Sequence, residues 1–107
     1  MQVTTVDLHR WDELDLEKVT AMVSRKVVSG GSLTLAQVYL KRGAHVPLHL
    51  HDKEQMVYVL KGKVRWLVAG QEMVVVQGEV LRVPSGVLHQ AEALDDTFQI
   101  SIVSEVI

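Results

Sequence analysis

Apolar and polar residues alternate along most of this chain, and glycine-bearing turns interrupt the alternation at short intervals. Residues 33–41 (LTLAQVYLK), 45–51, 55–60, 63–68, 72–76, 80–83, 87–94 and 97–106 each read as a strand by β-branched content and period-2 patterning. Between them stand Arg42-Gly43, Asp52-Lys53, Lys61-Gly62, Ala69-Gly70, Gln77-Gly78, Pro84-Ser85-Gly86 and Asp95-Asp96, residue types that turn a chain. Residues 19–28 (VTAMVSRKVV) have the Ala, Met, Arg and Lys content of a helix. Val19, Ala21 and Val23 alternate, however, and β-branched residues dominate, so this segment also reads as a strand, closed by the Ser29-Gly30-Gly31-Ser32 turn. Many short strands joined by such turns predict one all-β domain, a sandwich or a barrel, over residues 18–107. Residues 1–17 stand apart as an N-terminal arm. There Val3, Leu8, Trp11, Leu14 and Leu16 lie among acidic residues, and Trp11-Asp12-Glu13-Leu14 reads as a turn or short helical piece. His9, alone in the arm, reads as a surface or partner-contacting residue.

Composition narrows the function classes. A chain of 107 residues supports one modest core, and 48% hydrophobic with 22% charged residues describes a folded domain rather than a disordered one. The net charge is −2 with Lys and Arg scattered, which gives no electrostatic footprint for nucleic acid. No cysteine is present, so any metal must be held by nitrogen and oxygen donors. The first residues show no secretion signal and no apolar run has the length of a membrane span, so a cytoplasmic location is expected.

Candidate chemistry concentrates in residues 43–62, GAHVPLHLHDKEQMVYVLKG. His49, His51 and Gln55 share parity, so one extended strand would turn all three to the same face. Imidazole nitrogens with an amide oxygen suit a borderline divalent ion. The missing ligand is expected at His89, on the strand entered through Pro84-Ser85-Gly86. Such a set leaves coordination positions for water or substrate. Glu54 is adjacent to Gln55 but has the wrong parity, and Gln55 is the preferred ligand, with a hydrogen bond to a ligating histidine as its alternative role. His45 also shares the parity, but it lies about 13 Å upstream along an extended strand and reads as a rim or core residue. Arg25, Tyr39 and Trp66 are candidates for the mouth, and Arg42 and Arg82 for holding an anion. Val57, Val59, Leu67 and Val83 are assigned to the core.

These residues resemble the two motifs of the cupin superfamily. The first, G-x5-H-x-H-x(3,4)-E-x6-G, reads Gly43, His49, His51, Gln55 in place of glutamate, and Gly62; the second, G-x5-P-x-G-x2-H-x3-N, reads Gly78, Pro84, Gly86, His89 and Ala93 in place of asparagine. The resemblance covers roughly residues 33–104. It implies a double-stranded β-helix, the jelly-roll barrel, with one divalent transition metal (Ni, Mn, Fe, Zn or Cu) in its mouth. The glutamine raises the charge of the site by one unit relative to glutamate. It should therefore strengthen Lewis acidity, favour anionic ligands and disfavour an oxidised redox metal.

A His-His-Gln-His set is similar to that of cupins that linearise unsaturated uronates in pectin and alginate breakdown. Those enzymes also use an aspartate and an arginine near the C-terminal strand. Here Ser101 or a neighbour stands where the aspartate is expected, and no arginine follows. A hydroxyl cannot replace a carboxylate base, so fold and metal carry over and that activity does not. Three classes remain: a metal-dependent enzyme of dioxygenase or isomerase type, a module that binds a sugar or organic acid without turnover, and a barrel whose metal is structural. Acid/base candidates are Glu54, Tyr58, Tyr39 and His45. Exposed sheet edges and apolar faces further predict a homodimer, with the N-terminal strand as an exchange element.

Overall fold

Period-2 patterning becomes ten strands over residues 5–104, the part of the chain that the computed structural model describes. In chain order they are β1 (Glu17–Lys18), β2 (Val23–Ser29), β3 (Leu33–Leu40), β4 (His45–His49), β5 (Gln55–Lys61), β6 (Lys63–Val68), β7 (Gln71–Val76), β8 (Val80–Val83), β9 (His89–Ala93) and β10 (Thr97–Ser104). Trp11–Glu13 forms a single 3-10 turn in the arm. None of the described residues is α-helical, and no helix is long and apolar enough to cross a membrane.

The strands pair as one long hairpin rolled up on itself. β6 and β7 form its tip, β5 pairs with β8, β4 with β9, and β3 with β10, all antiparallel. Successive nested pairs go alternately to two sheets, a six-stranded one ordered β1-β2-β3-β10-β5-β8 and a four-stranded one ordered β4-β9-β6-β7. This is the jelly roll that the motif resemblance implies. Side chains alternate across each strand, and Val57, Val59, Val64, Trp66 and Val83 meet between the sheets as a buried core. Each fully buried valine contributes about 1.5 to 3 kcal/mol.

Two of the turns show why unusual backbone is needed. The β6–β7 hairpin closes on Ala69 and Gly70, both with positive φ (50° and 78°), as a two-residue primed turn requires. Gly62 (φ 106°) makes the corner where the chain leaves β5 in one sheet and enters β6 in the other. Thr97 stitches that corner, its hydroxyl oxygen accepting from the Lys63 N–H at 3.2 Å and its hydroxyl hydrogen facing the Asp95 carbonyl at 3.0 Å.

Some expected boundaries move. The segment 19–28 begins as a turn rather than a strand, because the N–H groups of Val19 and Thr20 both go to the Val23 carbonyl. Strand pairing starts only at Val23 and runs through Ser29. The segment 87–94 pairs only over His89–Ala93. The last strand is described to Ser104; Glu105 and Val106, which the reading assigned to it, lie outside the described residues, as does Val3 of the arm. Leu67 is a correction to the core: it alternates with buried Trp66 and Val68 and lies half-buried on the outer face of the four-stranded sheet.

Candidate metal centre

Three different segments deliver the histidines. β4 and β9 set His49 directly opposite His89. The β4–β9 register slips between Val46 and His49, at Pro47-Leu48. The extra residue of this bulge reverses the alternation. His45 thus faces outward, with Nε2 3.5 Å from a Glu92 carboxylate oxygen, although it has the same parity as His49. His51 lies beyond the end of β4. Its loop is pinned to the 84–86 turn by the Gly86 N–H, which donates to the His51 carbonyl at 2.8 Å, and by Ser85 Oγ on the Asp52 carbonyl at 2.8 Å. Gln55 opens β5 in the opposite sheet, between Val83 and Val103.

The expectation of one shared strand face is therefore corrected. His49, His51 and Gln55 do approach one another, but a bulge, a loop and a second sheet bring them there, not strand parity.

Donor atoms of His49, His51 and His89 all lie within 4.8 Å of one another. His49 and His89 are oriented alike, each Nδ1 donating to the backbone carbonyl two residues before it, Pro47 at 2.8 Å and Val87 at 2.9 Å. Each Nε2 is then left with its lone pair, the arrangement by which outer hydrogen bonds fix metal-binding tautomers. His89 is 1% exposed, and its Nε2 has no hydrogen-bond partner; His51 Nδ1 is likewise buried and unpartnered. Burial lowers the His89 pKa below the ordinary histidine value; the Val87 hydrogen bond opposes this, and charge on His49 and His51 adds to it. The imidazole is therefore neutral at pH 7 and able to donate a lone pair.

Gln55 Oε1 stands 3.4 Å from His51 Nε2. Two arrangements fit this distance: Nε2–H donates a long hydrogen bond to Oε1 and leaves the unpartnered Nδ1 as the lone pair, or Nε2 and Oε1 stand as neighbouring donors about 2 Å from one centre. His49 is exposed and His51 half-buried, but the buried, unpartnered nitrogens of His89 and His51 would be costly alone. A cation resolves them, and the three imidazoles, with Gln55 beside them, fit a divalent transition ion.

The donors border a cavity of about 300 Å³ between the sheets, walled by apolar side chains with Trp66, Gln99 and Ser101 facing it. The Trp66 and His89 ring centroids are 6.1 Å apart. Arg25 also lines the cavity, donating from Nε and Nη2 to both carboxylate oxygens of Glu17 at 3.1 and 3.2 Å. Other candidates fall elsewhere. Glu54 is paired with Arg82 at 2.6 Å, both exposed. Tyr39 does not reach the mouth; it stacks on Phe98 outside the barrel, centroids 4.8 Å apart, in a separate groove that also includes Arg42. His9 is exposed beside Asp7.

The sequence reading met Ser101 only as the residue standing where an aspartate is expected, and missed that the buried residues on the inner face of β10 are polar. Thr97, Gln99 and Ser101 point into the barrel and are buried, while Phe98, Ile100 and Ile102 point out. Alternation was visible there, but its sense is inverted relative to a soluble strand with an apolar inner face. Gln99 Oε1 is buried without a partner, and Ser101 Oγ accepts from Gln55 Nε2 at 3.0 Å.

A family model described as the cupin domain matches residues 36–104. Among solved structures, KdgF from Halomonas sp. is similar at 26% identity, with 96% of each chain covered and a TM-score of 0.88. An RmlC-like cupin from Shewanella frigidimarina is similar at 21% identity, covering 95% of this chain and 93% of that one, with a TM-score of 0.88. A predicted oxalate decarboxylase from Thermotoga maritima follows at 20% identity, 94% and 100% coverage and a TM-score of 0.81. A search of curated proteins gave no significant match.

Proposed function

The chain belongs to the cupin family, and from that membership we propose a metal-dependent cupin, of dioxygenase or isomerase type, that acts on a small organic molecule. One observation carries the reading: the donor atoms of three histidines lie within 4.8 Å of one another, the Nε2 of buried His89 among them without a partner, beside a cavity sized for a small ligand. His49, His51, His89 and Gln55 would hold one divalent transition ion. Bound there, such an ion supplies Lewis acidity that polarises a substrate oxygen. The chain's own residues supply the setting: apolar walls exclude water, and Arg25 offers a cation near the opening to an acidic substrate that can compete with Glu17.

A second reading, binding without turnover, is favoured by a different observation. Among the described residues no aspartate or glutamate lines the cavity, and Glu54, Tyr58, Tyr39 and His45 all lie outside it. Carboxylate-base isomerisation has no base here. Elemental analysis of freshly purified protein tests the premise common to both: near-stoichiometric divalent metal is expected. Neither reading survives if the protein contains none and takes up none of Ni, Mn, Fe, Zn or Cu.

The proposal includes a homodimer. The outer face of the six-stranded sheet carries an apolar patch, with Leu35, Ile102 and Met56 in one row, Ile100, Tyr58 and Val80 in the next, and Tyr39 on Phe98 beyond, the rows ending in the polar side chains Arg82, Gln37 and Lys61. Eight apolar positions, each about 4.8 by 6.8 Å, cover roughly 260 Å², just below the size of functional patches on soluble proteins. A stable dimer needs about 800 Å² per partner. The arm can supply the remainder: Val6 and Leu8 are 91% and 77% exposed, and the Trp11 carbonyl, held by Lys26 Nζ at 2.7 Å, anchors the arm to β2 of that same sheet. Two-fold pairing would let each arm cover the other copy's face. The opposite sheet instead carries Arg65, Glu72, Glu92 and His45 outside. By light scattering at micromolar concentration, a dimer is expected for the wild-type chain and for Val74→Glu on the charged sheet. A monomer is expected for Met56→Glu with Val80→Glu. A monomeric wild-type chain would contradict the dimer.

A further inference from the structure

Gln55 has two chemically opposite ends, and only its oxygen can face a cation. A glutamate in its place would present an oxygen whichever way its carboxylate turned. A carboxamide must be held. Terminal amide torsions are broad and roughly two-fold, so the backbone alone does not choose the end.

We infer that Ser101 is the positioning residue that makes this choice: its hydroxyl oxygen accepts the Gln55 N–H and keeps Oε1 turned to the His51 side of the cluster. The inference rests on the metal reading proposed above. Ser101 is 7% exposed, and its register partners on the two flanking strands are Ala36 and Val57, neither with a polar side chain. Among the described residues Gln55 is the partner of its hydroxyl, at 3.0 Å. A serine can donate as well as accept, so it does not select the amide end alone. The selection is completed on the other side. With Nδ1 of His49 and His89 committed to backbone carbonyls, both Nε2 atoms are turned toward a common centre. A cation there claims Oε1 and leaves the N–H for Ser101. Without the hydroxyl, the Gln55 N–H loses its partner and the amide is free to turn.

Cobalt(II) titration tests this, because its visible absorption reports coordination number independently of any turnover. Ser101→Ala is expected to weaken Co²⁺ binding about 10- to 100-fold, the loss typical of an outer partner of a metal ligand. Its spectrum should shift toward that of Gln55→Ala, whereas Ser101→Thr should keep the wild-type affinity and spectrum. In the Gln55→Ala background, Ser101→Ala should change affinity no further, the coupling expected of residues that act as one unit. If Ser101→Ala fails to fold, the isosteric pair Ser101→Thr and Ser101→Val carries the test, and valine must lose what threonine retains. Additive losses, or a Ser101→Ala protein with wild-type affinity and spectrum, overturn the inference. No Co²⁺ uptake by the wild-type chain overturns the metal reading, and the inference with it.

Discussion

Replacing His49 and His89 together by alanine is expected to abolish metal binding while leaving a folded barrel. The two imidazoles face each other across the β4–β9 pair, ring centroids 4.1 Å apart. Their loss leaves only His51 and Gln55, on a loop and a different sheet. Loss of an outer partner costs roughly 10- to 100-fold in affinity; loss of two donors exceeds that, and the ion should not survive dialysis. The fold has another origin. His89 contributes a buried nitrogen without a partner, which is unfavourable without a metal and offsets the packing its removal loses, and the valine core between the sheets is built from other residues. The metal-free double variant should therefore melt close to the metal-free wild type. Elemental analysis and thermal melts of both proteins check the pair of outcomes. A variant that keeps stoichiometric metal would remove His49 and His89 from the site.

The largest loss of stability is expected at Gly62, far from any donor atom. A Cβ built there would lie 2.6 Å from the Asp96 carbonyl oxygen and 2.7 Å from Thr97 Cα. These are backbone atoms of a segment stitched to Lys63, so neither can swing aside. The positive φ alone costs about 1 to 3 kcal/mol for a residue with a side chain, and the overlap adds to it. Gly62→Ala should thus lose roughly 3 to 5 kcal/mol, in the range that marks a named structural fault. Gly70→Ala is the control. It has φ 78° but nothing within 4 Å of the added carbon, and only the conformational part of the loss should appear. Denaturant melts of the metal-free proteins separate the two effects. Equal losses for both variants would show that close approach at the β5–β6 corner contributes nothing.

Much of the architecture was legible because β-strands write themselves in period 2 with glycine at the turns. The segments 63–68 and 80–83 coincide with β6 and β8, and the two motif halves point to His49, His51 and His89. What failed was the inference from parity to direction. Parity holds only while a strand stays regular, and the bulge at Pro47-Leu48 turns His45 out while His49 turns in. Leu67 was misplaced for a related reason: its neighbours alternate cleanly, but hydrophobicity alone made it look internal. β10 is the reverse case, where a polar inner face and an apolar outer face follow from a cavity on one side and an uncovered patch on the other. Neither the cavity nor the patch is a local property of eight residues. The Ser101–Gln55 bond is equally beyond sequence, because it spans 46 positions and depends on how β10 registers with β5.

That registry also fixes an order of events during synthesis. β10 lies between β3 and β5 in the sheet, pairing with both, yet of the ten described strands it leaves the ribosome after all the others. Until residues 97–104 emerge, β3 and β5 each present an unpaired edge beside apolar side chains, the condition under which nascent chains associate wrongly. Pairings of such large sequence separation also form slowly. Ser101 arrives with this strand, so Gln55 gains its partner only when the barrel closes. Full metal affinity would then mark chains that have completed folding, and a stalled intermediate would bind the ion only weakly.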